Sequence, residues 1–248
     1  VDIGMAGQRA TAIGDAIAVA GKRLKDLDAP SKVAILLTDG RSKRLIAYHE
    51  VGHALVGTLV KNHDPVQKVT LIPRGQAQGL TWFAPDEEQM LVSRSQLQAR
   101  IMGALGGRAA EAVVFGHAEV TTGAGGDIQM VAGLARQMVT RFGMSDLGPV
   151  SLEAGNQEVF LGRDLMTRSD VSESISRRID EQVRLIVDRC YQDTLELVGN
   201  HRECMDRLVE LLIEKESLNG DEFRSIVAEF SVIPEKERFS PLLPATAT

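Results

Sequence analysis

The pattern of apolar positions predicts one long helix early in the chain. In RLIAYHEVGHALVGTLV, apolar residues recur at Leu45, Tyr48, Val51, Leu55 and Leu59, which is typical of a single buried helical face. No proline interrupts the segment, whereas the polar NHDP cluster that follows contains a proline that a helix cannot continue through. A helix is therefore predicted over residues 42–62.

Two short strands and a glycine-bearing helix are predicted next. The segments VQKVTLIPR and QGLTWFAP alternate apolar and polar residues around a glycine-rich turn, which indicates a small antiparallel or mixed sheet. Residues 93–115 have a helical pattern that contains Gly103, Gly106 and Gly107 in its interior. Because glycine destabilises a helix interior, these positions indicate close packing against another helix, for which the HEVGH helix is the candidate.

The rest of the chain is predicted to be mostly helical. VTTGAGGDIQ changes from turn residues to a helical period, so a helix is expected from about Gly126. Residues 143–170 show no period and indicate a long, mobile surface loop. Further helices are expected over residues 171–195, 201–216 and 219–230. The predicted fold class is mainly α, with a small β-sheet near the first long helix.

Residues 1–40 have a different pattern, an amphipathic helix followed by the buried strand of SKVAILLTDG. The pair resembles part of a von Willebrand factor A domain, a magnesium-dependent binding module in which Thr11 and Asp39 would hold the metal. That family's first metal loop, D-x-S-x-S, is absent, and its remaining strands have no room before His49. A structural helix and strand of separate origin is the preferred interpretation.

Composition narrows the function classes. With 248 residues, 44% apolar and 25% charged, the chain is typical of a soluble globular protein. A net charge of −6, scattered Lys and Arg, and 4% aromatic residues argue against nucleic-acid binding. The two cysteines, Cys190 and Cys204, lack CxxC spacing and are expected to be reduced thiols of an intracellular protein. No apolar run reaches the roughly 20 residues that span a bilayer.

The HEVGH sequence is the candidate chemical site. Residues four apart share a helical face, so His49 and His53 can present two imidazole nitrogens to one zinc ion. Glu50 lies beside them, where it can take a proton from an attacking water, as in the H-E-x-x-H motif of metallopeptidases. The pattern arises by chance in about one chain in a hundred of this length, so further support is needed.

A catalytic zinc site needs a third protein ligand, and two acidic residues are candidates. Glu111 lies on the glycine-bearing helix, and Asp127 lies in the first turn of the next one. Each also has a structural explanation, Glu111 as a partner of Arg108 and Asp127 as a carboxylate near a helix start. The residues alone do not separate the two. The other histidines are expected in exposed or capping positions: His63, His117 and His201.

Five stretches in fixed order resemble the peptidase domain of FtsH, the ATP-dependent, membrane-anchored zinc proteases of the AAA class. They are AYHEVGHALVG, DPVQKVTLIPRGQAQGLTWFAP, ALGGRAAEAVVFG, EVTTGAGGDIQMVAGLARQMVTRFGMS and VELLIEKESLNGDEF. The residues in these stretches most resemble those of cyanobacterial and chloroplast members of the family. Under this interpretation the chain has three parts: residues 1–40 of other origin, a peptidase domain over 41–232, and a tail over 233–248.

The resemblance implies a zinc endopeptidase. It implies that His49, His53 and Asp127 bind zinc, that Glu50 is the catalytic base, and that Glu111 is a supporting residue. It also implies polypeptide substrates, a homohexamer, and an ATPase module and thylakoid- or plasma-membrane anchor in the full-length protein. No Walker-type G-x-x-x-x-G-K-[ST] sequence is present, so this chain is not expected to hydrolyse ATP by that route.

The predicted substrate site is an exposed strand edge that binds an extended peptide by strand addition. The candidate residues for this edge are Gly79, Leu80 and Thr81, and a strand buried by its neighbours is the alternative interpretation of the same residues. Two alternatives remain beside the peptidase: a proteolytically weak oligomerisation scaffold, and the A-domain-like binding module.

Overall fold

A computed structural model describes residues 40–73, 79–84, 91–152 and 172–235. The chain forms two compact units, Val1–Ser42 and Lys43–Thr248. The helices and strands of the fold belong to the second unit. The predicted helix and strand before residue 40, including Thr11 and Asp39, lie outside the described residues. So do most of the predicted 143–170 loop and nearly all of the predicted tail.

Six α-helices make up most of the described structure, which confirms the mainly α fold class. They are α1 (Gly40–Leu59), α2 (Arg94–Phe115), α3 (Gly125–Thr140), α4 (Glu173–Asn200), α5 (Arg202–Lys215) and α6 (Gly220–Phe230). Local sequence explains several helix starts. Ser93 and Gln96 form a reciprocal capping box at α2, and the Asn219 side chain accepts from the backbone N–H of Glu222 at α6.

A three-stranded antiparallel sheet lies beside the helices. Its strands are β1 (Val66–Thr70), β2 (Leu80–Phe83) and β3 (Ser217–Asn219), arranged in the order β2-β1-β3. The first two strands confirm the predicted sheet, and β2 lies at its edge. The short β3, between α5 and α6, was not predicted because three residues are too few to show an alternating pattern.

The packing of α1 against α2 confirms the close helix contact predicted from the glycines. Gly52 and Gly106 face each other, and a methyl group placed on Gly106 would lie 2.5 Å from the backbone oxygen of Gly52. A cluster of buried apolar residues joins α1, the sheet, α5 and α6, and a second cluster joins α2, α3 and α4. The site described below lies where α1, α2 and α3 approach one another.

The buried polar side chains correct one prediction. His63 was expected to be exposed or capping, but it is 6% exposed. Its Nδ1–H donates to the Asp64 backbone oxygen over 2.7 Å, and its ring packs on Phe83 with ring centroids 4.5 Å apart. The turn is covered by β2, a tertiary contact that local sequence does not encode. His201 does cap α4, as predicted, through Nδ1 and the Leu197 backbone oxygen.

The remaining sequence predictions concern thiols and membrane segments. Cys190 and Cys204 are free and buried, in agreement with the prediction. Among the described helices, none combines the length and the apolar character needed to cross a bilayer.

Candidate metal centre

The two histidines of HEVGH face α3 from one side of α1. The Nε2 atoms of His49 and His53 lie 3.0 Å apart, and the Asp127 Oδ2 atom is 3.6 Å from each of them. Asp127 is in the first turn of α3, so three ligand atoms from two helices converge at one point. Within the described residues, this is the group of His, Cys, Asp and Glu side chains whose spacing suits a metal ion.

The other nitrogen of each imidazole is held by α2. His49 Nδ1–H donates to the Glu111 carboxylate over 2.7 Å, and His53 Nδ1–H donates to the Gly103 backbone oxygen over 2.8 Å. When both rings are neutral and Nδ1–H is the donor of each, the lone pair of each Nε2 atom lies on the side of Asp127. Two imidazole nitrogens and one carboxylate oxygen are a donor set that suits zinc.

Glu111 lies behind the histidines rather than beside Asp127. Its side chain is fully buried, and both carboxylate oxygens have partners. Oε1 accepts from His49, and Oε2 accepts from the backbone N–H of Thr121 over 2.7 Å. This position gives Glu111 the contacts of a residue that orients His49, and it favours Asp127 over Glu111 as the third ligand.

The charges of the cluster are mutually dependent. Burial lowers the pKa of His49, but hydrogen bonds to Asp127 and Glu111 outweigh burial and raise the pKa to about 9. Burial raises the pKa of each of the two carboxyls, yet hydrogen bonds with His49 reverse this effect and hold both pKa values below their usual range. The two carboxylates therefore favour a positive charge near the imidazole rings, which is a requirement of a cation site.

Glu50 is next to the cluster and contacts β2. The Thr81 hydroxyl lies 2.7 Å from Glu50 Oε2 and 2.9 Å from the Glu50 backbone oxygen. A methyl group placed on Gly79 would lie 2.6 Å from Glu50 Oε1. Leu80, between them, is 38% exposed. Of the three residues predicted for substrate binding, Leu80 and Thr81 are thus on the edge strand β2 and Gly79 directly precedes it, and Gly79 and Thr81 lie against Glu50.

Comparison with known proteins adds the evolutionary relationship. Residues 36–226 match the family model described as Peptidase family M41. The chain belongs to this peptidase family. The matched region begins five residues before Arg41, the predicted start of the peptidase domain.

Several FtsH proteins are similar over most of this chain. The rice "ATP-dependent zinc metalloprotease FTSH 2, chloroplastic" (Oryza sativa subsp. japonica) is 56% identical over 211 residues, covering 85% of this chain and 31% of that protein. The Arabidopsis thaliana protein FTSH 8, chloroplastic, is 54% identical, covering 82% of this chain and 30% of its own length. FtsH of Trieres chinensis is 53% identical, covering 81% and 31%. The chain therefore spans about a third of the length of these curated relatives.

Three contributors to this M41 site were not identified from sequence. They are the Gly103 backbone oxygen, Thr121, and Gly107, where a methyl group would lie 2.6 Å from His53 Nε2 and 2.7 Å from His49 Nε2. The paired glycines in the middle of α2 were a visible signal of close approach. Nothing in the sequence indicated that the close approach was to the imidazole rings.

Proposed function

We propose that this chain is a zinc-dependent endopeptidase domain of the M41 family, with His49, His53 and Asp127 as zinc ligands and Glu50 as the catalytic base. The observation that carries the proposal is the convergence of the two Nε2 atoms and Asp127 Oδ2 beside Glu50. Zinc bound there supplies Lewis-acid chemistry: it lowers the pKa of water and polarises a carbonyl.

The protein's own groups transfer the proton and orient the histidines. Glu50 accepts the proton of the attacking water and delivers it to the amine that leaves, because one carboxylate can act first as base and then as acid. Glu111 and the Gly103 oxygen keep Nδ1 of each histidine protonated, so that Nε2 of both rings faces Asp127.

The substrate is proposed to be an extended polypeptide that adds to the sheet at β2. Among the described residues, β2 pairs only with β1, so its other edge can accept a strand. Backbone hydrogen bonds of this kind require an extended conformation of the substrate but no particular side chains. An unfolded polypeptide can adopt this conformation. Gly79, Leu80 and Thr81 form the start of this edge, and Gly79 and Thr81 bring it against Glu50.

The larger assembly follows from the relatives' names and from the resemblance to FtsH. The relatives are described as ATP-dependent. We propose that the full-length protein joins this domain to an ATPase module and a membrane anchor, and that a homohexamer feeds unfolded or membrane proteins to the peptidase sites.

Metal analysis and a casein assay test the catalytic proposal. Purified chain should contain about one zinc per chain, and it should cleave casein. Glu50→Gln should abolish cleavage and retain the metal, because it removes the proton acceptor and leaves the three ligands in place. A chain without bound metal, or a Glu50→Gln variant with undiminished activity, contradicts the proposal.

Intrinsic fluorescence tests strand addition independently of cleavage. The single tryptophan of the chain, Trp82, is on β2 and is 57% exposed. An unfolded casein peptide that contains no tryptophan, added to the Glu50→Gln variant, should shift the Trp82 emission, since a bound strand covers the edge without being cut. A disulfide-bonded folded protein without tryptophan, which offers no extended segment, serves as the control. Equal responses to both would argue against recognition of extended chain.

A further inference from the structure

The start of β2 confines the Glu50 side chain from two directions. On one side the Thr81 hydroxyl is within hydrogen-bond distance of Oε2, at 2.7 Å. On the other side Gly79 leaves room for Oε1, since any β-carbon at this position would lie 2.6 Å from that oxygen. The carboxylate thus has Oε2 within hydrogen-bond distance of Thr81 and Oε1 packed against Gly79.

The Thr81 hydroxyl has two acceptors for its single proton. Besides Oε2, it lies 2.9 Å from the Glu50 backbone oxygen. A hydroxyl can donate one hydrogen bond and accept others. It can therefore donate to Glu50 Oε2, the nearer of its two acceptors, and hold that oxygen beside the strand.

We propose that Thr81 is a positioning residue for the general base: its hydroxyl holds the Glu50 carboxylate against the start of β2. The inference rests on the proposed peptidase function. It assigns the Thr81 side chain to Glu50, whereas the backbone of the same strand serves the substrate. The strand that holds Glu50 is also the strand against which the substrate is proposed to lie. β2 therefore positions both the base and the bound peptide.

The sheet itself does not depend on this hydroxyl. Thr81 pairs with Val69 through the backbone ladder between β1 and β2. The two hydrogen-bond contacts made by its side chain within the described structure are both to Glu50. Replacing the hydroxyl with a methyl group should therefore preserve the strand and affect the base.

Steady-state kinetics with matched variants test the assignment. Thr81→Val keeps the shape and loses the hydroxyl; kcat should fall roughly tenfold to a hundredfold, because a hydrogen bond to a charged group is lost. KM for casein peptides and zinc content should stay unchanged. Thr81→Ser restores the hydroxyl and should recover most of kcat. Thr70→Val removes a hydroxyl of β1 that bonds the Glu216 backbone oxygen, and it should leave kcat unchanged.

Crystal structures of the variants supply a second readout that does not require activity. The Glu50 carboxylate should move away from the strand in Thr81→Val and return in Thr81→Ser. The assignment is overturned by an unchanged Glu50 position or kcat in Thr81→Val, by loss of zinc, by an effect on KM alone, or by a folded Thr81→Ser variant as impaired as Thr81→Val. Failure of the peptidase proposal is distinct: the unsubstituted chain would then show no zinc-dependent cleavage.

Discussion

At the scale of single residues, the centre is organised by what binds the far side of each imidazole. A histidine can offer only one nitrogen to a metal, and the hydrogen bond at the other nitrogen selects which one. His49 has a carboxylate there, from Glu111, and His53 has a backbone oxygen, from Gly103. The two supports differ in charge, so His49 should be the more sensitive of the two to substitution behind it.

Glu111→Gln should weaken zinc binding about 10- to 100-fold without abolishing it. The amide keeps the volume, but its NH2 group must face either His49 Nδ1–H or the Thr121 N–H, and both are donors. Competition with a fluorescent zinc chelator measures the affinity. Glu210→Gln, on the exposed side of α5, is the control and should bind zinc normally.

Asp127→Ala should have the larger effect, because it removes a proposed ligand instead of an orienting residue. Zinc content measured after gel filtration should fall to near zero. The opposite ranking, with zinc lost in Glu111→Gln and kept in Asp127→Ala, would show that the third ligand was assigned to the wrong carboxylate.

At the scale of elements, the contact between α1 and α2 determines the site. Gly52 and Gly106 allow the two backbones to approach without intervening side chains. Gly107, next to Gly106 on α2, faces the imidazole rings of both His49 and His53, and the Gly103 backbone oxygen accepts from His53 Nδ1–H. Because the two histidines are on α1 and the groups that hold their Nδ1 atoms are on α2, a change in the distance between these helices alters both supports at once.

Gly106→Ala should destabilise the fold by about 1–3 kcal/mol, since the new methyl group meets the Gly52 backbone and the helices must separate. Urea denaturation measures the free energy of unfolding, and the chelator assay should show weaker zinc binding in the same variant. Gly133→Ala is the matched control on α3, where a methyl group meets no atom within 4 Å. It should stabilise by about 0.5–1 kcal/mol through helix propensity. Equal effects of the two substitutions would argue against close helix packing.

At the scale of the whole molecule, the two buried clusters form a continuous core. Met102 and Tyr191 pack against both of them. Each cluster contains one thiol: Cys204 lies in the cluster around α1 and the sheet, and Cys190 lies in the cluster between α2, α3 and α4. Burial raises the pKa of each thiol to about 11. The thiols are thus neutral and covered at neutral pH, and they report on the integrity of the two clusters.

Neither thiol should react with Ellman's reagent in the native state at pH 8, and both should react after unfolding. Because both folded-state pKa values are raised, increasing the pH to 9 should not produce reactive thiolate unless the structure opens. In a urea series the two cysteines should become reactive at the same denaturant concentration, as expected for one cooperative core. Mass spectrometry of the labelled cysteines measures each site. Labelling of Cys190 well before Cys204 would indicate that the clusters unfold separately.

The sequence by itself determined those features that rest on local pattern. Hydrophobic period identified the long helices, alternation identified β1 and β2, and spacing placed His49 and His53 on one helical face. The interior glycines of α2 indicated close packing for the same reason, since their local cost needs a tertiary compensation. The family also followed from sequence, through five motifs in order, and the family match confirms it.

Only the tertiary structure decided how distant residues share the site. Glu111 and Asp127 had equal standing as ligands by residue chemistry, and the approach of α2 and α3 to α1 placed one behind His49 and the other in front. The burial of His63, the pairing of β3, and the hydroxyl of Thr81 against Glu50 depend on contacts between segments far apart in the chain. The local period of apolar residues carries no information about which distant segments meet, so it could not predict these contacts.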